Sequence, residues 1–576
     1  MDNCHISGAS SLDDTVDGAV DDKGDPAKRS FSGAWKSAYF IIGMAVVERF
    51  AFKGIETNLI NYLTGWLGES TVAAAANVNT WSGTSTLLPL LGASIADSYL
   101  GQYRTIVIAS VTYILGLGLL TLSAVLTSGS SSNCKNRNKT TSCSPSELQV
   151  FFFFFSLYVV AIAQGGLKPC LQAFGAEQFD QRDQEECKAK SSFFNWWYFG
   201  LAGGAAVSYL IMSYIEENVS WILGFGILCL FMVLGLLLFL FGARTYRYSI
   251  KKDERSPFVR IGRVFVAAAK NWKTTPPVEA TEEVAQENLP PHQGSNQFKL
   301  WSLFYGRFLN KALLLPGGSG EKGKACSLSD VEEAKAVLRL FPIWATCLAY
   351  GIVLAQPPTL FTKQGTTLDR SIGSGFHIPA ASLQFFRALT VLIFIPIYDR
   401  IFVPIARSLT RKPSGITMLQ RIGTGIFLIA ITMVIAALVE LKRLKTAEEY
   451  ELVDMPKTTL PMKVWWLIPQ FIFLGISDSF TSVGIQEFFC DQMPNELRSV
   501  GVSLQLSIVG LGSLLSTSLI SVIGKITSGD GRDSWFSDNL NRAHLDYFYW
   551  LLAGLTAIGL AVYLFFAKSY IYNSTT

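Results

Sequence analysis

Long apolar runs separated by short polar breaks recur along nearly the whole chain beyond residue 37. They fall at about 38–60, 72–96, 104–127, 149–168, 192–214 and 220–242, and again at about 337–361, 379–402, 417–441, 464–488, 499–523 and 546–567. A bilayer core needs about 20 apolar residues per helix, and runs such as Ile222–Phe241 and Tyr547–Phe566 supply them. The pattern predicts an all-α membrane protein of twelve transmembrane helices arranged as two six-helix bundles, 38–242 and 337–568. The polar stretch 243–336 between them holds Pro276-Pro277, Pro290-Pro291 and the glycine-rich Gly317–Gly323, and reads as a cytoplasmic linker. Within it Phe258, Ile261, Val264, Phe265 and Ala268 recur at helical spacing, predicting an amphipathic helix against the inner membrane surface. Ser329-Asp330-Val331-Glu332 has capping-box spacing and is expected to open the seventh span. Residues 1–37 read as a disordered cytoplasmic tail without a signal peptide, and 569–576 as a second cytoplasmic tail.

Composition agrees with the pattern. Half the residues are hydrophobic and 16% are charged, against about a quarter in soluble domains. The net charge of +4 is small and says little about partners; the apolar runs make the lipid bilayer the expected surroundings, with no nucleic-acid partner expected. Nine Cys lack metal-ligand spacing and four His lie outside the apolar runs. No metal site or cofactor is expected, and without nucleophile or His/Asp clusters in the spans an enzyme is not expected either.

Lys and Arg in short loops set orientation. The loops after spans one and five lack them, whereas those after spans four and eight carry Arg182, Lys188 and Lys190, and Arg407, Arg411 and Lys412. Both termini are therefore expected in the cytoplasm, with the plasma and vacuolar membranes both open. Lys135, Arg137 and Lys139 after span three, and Lys442, Arg443 and Lys445 after span nine, run against the rule. In this orientation Cys134, Cys143 and the glycosylation sequon at Asn138 face outside or a lumen.

Charge inside the spans is the main functional signal, because an ionisable group at bilayer depth costs at least about 2.5–3.5 kcal/mol. Span one carries Glu48, Arg49 and Lys53, and span four ends in Gly165-Gly166-Leu167-Lys168-Pro169, from which Lys168 is expected to reach Glu48. Span ten contains Asp478, with Glu487 nearer its inner end, and Arg387 lies in span eight. Cations exceed acids in the first half, which favours an anionic solute. Span two ends with Asp97 followed by Arg104, and span eight with Asp399 followed by Arg407, the pairing of a gating clamp between helices at matching places in two repeats.

These residues resemble a known family. Leu91–Gly101, the run from Gly165 to Asp180, Phe193–Phe199, Pro413–Ile416 and Asn539–Asn541 are similar to signatures of the plant nitrate/peptide transporter family. That family is part of the proton-dependent oligopeptide transporters, within the major facilitator superfamily. The resemblance implies proton-driven symport of nitrate, short peptides or other small solutes. It places proton coupling on Glu48 and Arg49 with Lys168. The first Glu of the family's E-x-x-E-R motif is Ala45 here, which shifts coupling onto Glu48 and other acids or leaves the carrier uncoupled. Arg49, Lys53, Phe52, Leu354, Gln356 and Asp478 are the pocket residues it implies, with Leu354 where some nitrate carriers have His. Thr105, after Arg104, matches a phosphorylatable Thr and implies a regulatory kinase. A facilitative or export carrier without tight proton coupling, and a non-transporting sensor, stand as alternatives.

Overall fold

The computed structural model describes residues 14–135, 145–180, 183–249, 257–272, 308–313, 326–373, 375–410, 416–493, 498–528 and 534–570. Its first half is built from α1 (Ala34–Gly65), α2 (Thr71–Ile95), α3 (Gln102–Lys135), α4 (Glu147–Glu177), α5 (Gln184–Tyr214) and α6 (Trp221–Phe241). After the connecting α7 (Pro257–Lys270) come α8 (Leu328–Thr346), α9 (Leu348–Leu354), α10 (Thr362–Thr366), α11 (Gln384–Ile397) and α12 (Val403–Thr410). The chain ends with α13 (Met418–Glu449), α14 (Ile468–Asp491), α15 (Arg498–Thr527) and α16 (Leu545–Ser569). Among the described residues nine helices are long and apolar enough to cross a membrane, or ten when the pair bent by 50° at Cys347 counts as one span. The chain is thus an all-α, multi-pass membrane protein.

Two helices expected as spans, α1 and α2, fall outside that set for a physical reason. α1 concentrates Glu48, Arg49, Lys53 and Glu56 in its middle, and α2 is rich in Ser, Thr and Asn. Their polar groups turn inward: Glu48, Glu56, Thr57, Asn58, Asn79 and Ser85 are all buried. Within the first half α1 packs on α5 and α6, α3 on α4 and α6, and α2 on α4. In the second half α13 packs on α14 and α16, α9 on α15, and α11 on α14. The halves meet where α2 crosses α15 and where α5 crosses α11.

Glycines set the closest crossings. A Cβ on Gly92 would lie 2.1 Å from the Gly165 carbonyl oxygen, and one on Gly512 would lie 2.3 Å from the carbonyl carbon of Gly351. Both contacts are with backbone, which rotamer changes cannot relieve. Gly512→Ala should therefore force α9 and α15 apart and cost on the order of 1–3 kcal/mol. The expected result is a reduced monodisperse peak in fluorescence-detected size exclusion; an unchanged peak and melting temperature would contradict this packing.

Several expectations are corrected. The stretch read as a disordered tail is ordered from residue 14 onward: β1 (Thr15–Val20) and β2 (Pro26–Lys28) form a hairpin, and β3 (Tyr248–Ser249), just after α6, adds to it. Arg29 then bonds Asp180 at 2.6 Å, and the buried Arg247 guanidinium reaches Glu186 at 2.7 Å and the Ser32 carbonyl at 2.8 Å. The amphipathic helix α7 lays its apolar face on protein instead of lipid: Ile261, Val264 and Ala268 are buried where α7 meets α8 and the turn Lys311–Leu313. Arg260 pairs with Glu333 across that contact at 3.3 Å. The capping box of α8 begins at Ser327, two residues earlier than expected, with Ser327 Oγ accepting from the Asp330 amide at 3.1 Å.

The basic cluster expected in a loop after span nine lies within α13, which continues to Glu449. Arg443 is fully buried and bonds Glu440 at 2.6 Å, Asn541 Oδ1 at 2.8 Å and the Leu540 carbonyl at 2.6 Å. Its charge is neutralised inside the protein, whereas Lys442 and Lys445 of the same cluster stay exposed. Arg137, Lys139, Asn138 and Cys143 lie outside the described residues.

Candidate functional site

α1 places Glu48 about 21 Å along its axis from Ala34, at about 1.5 Å per residue, near the middle of the helix. Glu48 is 3% exposed, and its carboxylate accepts a hydrogen bond from Gln164 Nε2 of α4 at 3.2 Å. The expected contact between Glu48 and Lys168 does not form. Lys168, one turn further along α4, and Arg49 act on Glu48 through space, from beyond ion-pair distance. Glu48 is therefore held by a neutral amide between two nearby cations. The hydroxyl of Tyr113 on α3 is buried beside this group without a hydrogen-bond partner. Ala45, three residues before Glu48 and buried on the same helix, adds no second acid.

Lys53 departs from its expected place as an available cation. It is in contact with Glu56, whose other oxygen accepts from Ser82 Oγ of α2 at 2.7 Å. Lys53 also sits 5.6 Å from the centre of the Phe52 ring, which stacks on Trp81. Sequence reasoning missed Glu56, although its i, i+3 spacing from Lys53 was a usable signal. Arg49, Lys53 and Lys168 set against Glu48 and Glu56 leave one positive charge in excess in this half.

In the second half Asp478 of α14 accepts from Arg387 Nη2 at 2.6 Å and Nε at 3.1 Å. It also accepts from Ser482 Oγ at 3.0 Å and from the Tyr350 hydroxyl. Asp478 is thus internally compensated, and Arg387 stands where α11 faces Tyr209 of α5. No local pattern announced this pair, because its members are ninety-one residues apart. Gln356 is buried and donates to Ser516 Oγ at 3.1 Å; Asn79 of α2 donates to the same oxygen at 3.2 Å. That hydroxyl joins the halves at mid-span. Leu354, half a turn earlier, is partly buried and contributes no polar group.

At the end of the helices opposite the two termini, called the far end, the halves are sealed together. Glu217 pairs with Arg370, Lys363 Nζ donates to Thr64 Oγ1 at 3.0 Å, and the Thr71 amide donates to Asp538 at 2.6 Å. Tyr214 and Phe376 stack across the same boundary at 5.5 Å. At the other end Gln486 Nε2 donates to the Tyr198 hydroxyl at 2.6 Å in an exposed position, and Glu487 is exposed beside Arg421 at 3.4 Å. Of the clamp residues Arg104 is exposed, and the side chains of Asp97, Asp399 and Arg407 lie outside those described. Thr105 is buried in the first turn of α3 and donates to the Gly101 carbonyl at 2.8 Å. A kinase could reach that hydroxyl only if the turn opened. Among the described residues no group of acids, His and Cys could hold a metal ion.

Comparison with known proteins agrees with this architecture. The family profile PTR2, described as the POT family, matches residues 103–536. Protein NRT1/PTR FAMILY 5.10 of Arabidopsis thaliana is 59% identical over 553 residues, covering 96% of each chain. Protein NRT1/PTR FAMILY 5.14 of the same plant is 54% identical over 567 residues, covering 97% of each. The crystal structure of an auto inhibited POT family peptide transporter superposes with a TM-score of 0.70 at 19% identity, covering 94% of this chain and 98% of the other. At that identity the likeness concerns the fold. A profile matching most of the chain, near-complete relatives above half identity and a shared membrane fold lead to one conclusion: the chain belongs to the POT family of transporters.

Proposed function

We propose that the protein is a proton-coupled symporter of nitrate or another small anion, or of a peptide-like solute, working by alternating access between two bundles of six helices. The reciprocal contacts of α2 with α15 and α5 with α11 support this arrangement. Each joins the second long helix of one half to the fifth of the other, as two parallel repeats require. The sealed far end corresponds to an inward-facing arrangement with both termini cytoplasmic, in the plasma or vacuolar membrane. The names of the relatives, NRT1/PTR, point to the nitrate and peptide solute classes.

One observation carries the coupling: Glu48 is buried beside Arg49 and Lys168 yet in contact with neither. When ionised, its charge offsets theirs and repels an entering anion. When protonated, it leaves both cations to the solute. Proton and anion therefore strengthen each other's binding, and linkage makes that effect reciprocal. Arg49, Lys168 and Gln356 are the residues proposed to face the solute. The Arg387–Asp478 pair positions the opposite wall, and Lys53 acts through Phe52 and Glu56.

The test is uptake of labelled nitrate and of a labelled dipeptide by oocytes at external pH 5.5 and 7.5, with currents recorded. Acid-stimulated uptake that a protonophore abolishes supports the reading. A flux indifferent to the proton gradient would instead support facilitative carriage, the second reading, which Ala45 favours. Ala45→Glu should steepen the pH dependence. An unchanged profile would remove Ala45 from the account.

A further inference from the structure

α5 ends in a π-helical turn, Ile215–Val219, that carries two adjacent acids with different surroundings. Glu217 looks across to the second half and pairs with Arg370 in the far-end seal. Glu216, roughly 80–100° further round the turn, faces into the first half, toward Asn58 of α1 and Gly224 of α6. It is 1% exposed, and neither of its oxygens has a hydrogen-bond partner. α1 presents Asn58 to it, whose buried Nδ2 is also without a partner. α6 presents Gly224, where a Cβ would come within 2.5 Å of Glu216 Cγ. Glycine at that position is what gives the acid its room. The nearest charge is Glu217 itself, with Arg370 beyond it. Lys363, which also feels Glu217, is engaged with Thr64.

A carboxylate shut away from water, with no cation beside it and only the Asn58 amide turned toward it, costs several kcal/mol to hold ionised. The sealed arrangement accommodates the neutral acid. The same turn carries Glu217 of the gate pair, so a rotation of it that separates Glu217 from Arg370 also swings Glu216 toward the opening.

We propose that Glu216 is a proton-operated latch of the far-end gate, neutral when the gate is shut and ionised when it is open. On opening, the O–H bond breaks and the proton passes to far-side water. Before closure a hydronium on that side returns one to the carboxylate, so no net charge crosses the membrane through this group. The latch rests on the alternating-access reading and adds to it a pH response separate from Glu48.

Hydrogen exchange measured by mass spectrometry on the full chain in nanodiscs tests it without a solute, with labelling times scaled for intrinsic rates. In the wild type, peptides covering 215–219 and 368–373 should exchange at least about tenfold faster at pH 8.0 than at pH 5.5, since one proton released on opening shifts the equilibrium tenfold for each pH unit over which it is released. Glu216→Gln should keep them protected at both pH values, and Arg370→Ala should expose them at both. Should the Gln variant misfold, Glu216→Ala, which also cannot ionise, should likewise abolish the pH response. A non-ionisable variant that keeps the wild-type response would overturn the proposal, as would a wild type without one. Glu48→Gln separates the two ideas: loss of the gate response there, with Glu216→Gln unaffected, rejects the latch and leaves proton-coupled transport standing. Uptake indifferent to the proton gradient alongside a gate response lost in Glu216→Gln gives the reverse.

Discussion

Replacing Arg443 with alanine is expected to leave little folded protein. Its guanidinium is fully buried against Glu440, which also accepts from Gln364 Nε2 at 2.7 Å, and it bonds Asn541 and the Leu540 carbonyl. Removing it strands the Glu440 carboxylate without its cation, a change that costs about 3–5 kcal/mol. The measure is the monodisperse fraction and apparent melting temperature of purified protein. Replacing both members, Arg443→Leu with Glu440→Leu, should recover much of the loss, because no unpaired charge then remains. A double variant as unstable as Arg443→Ala would show that the contacts to Asn541 and Leu540, and not the charge, hold this corner.

Glu48→Gln is expected to have the largest effect on transport while leaving the fold intact. Glutamine retains the shape and still meets Gln164, so the packing of α1 on α4 survives. What it lacks is a charge that protonation can remove. The ratio of uptake at pH 5.5 to that at pH 7.5 should fall to about 1, and accumulation against a gradient should cease, since proton and solute binding are no longer linked. Downhill exchange of solute should persist. A variant with wild-type acid stimulation would move the coupling acid elsewhere.

Most of the helices were legible in the sequence because a bilayer requires long apolar runs; the run 337–361 is the exception, broken at Cys347 and again at Ala355–Gln356. The central acid was legible for the same reason: Glu48 stands out in an apolar segment. Partners of the buried charges were much less so. Glu56 beside Lys53 followed a local spacing that could have been read. Arg387 with Asp478, and Arg370 with Glu217, join residues far apart in the chain, and only the packing of α11 on α14 and of α5 against the second half brings them together.

The signature runs carried more structure than chemistry. Gln178, within one of them, bonds the Arg247 amide at 2.8 Å and so fastens the N-terminal hairpin. Asn539 and Asn541 tie the Val453 and Leu452 carbonyls to the last loop. The amphipathic face of α7 was correctly periodic, but periodicity does not say whether lipid or protein covers it; α8 does.

The central claim is that a proton gradient drives the solute through linkage at Glu48. Proteoliposomes containing the purified protein, offered whichever of labelled nitrate or a labelled dipeptide oocytes take up, measure it most directly. The account predicts accumulation above the equilibrium level under an imposed inward proton gradient, collapse on adding a protonophore, and no accumulation in Glu48→Gln. Equal accumulation with and without the gradient would contradict it.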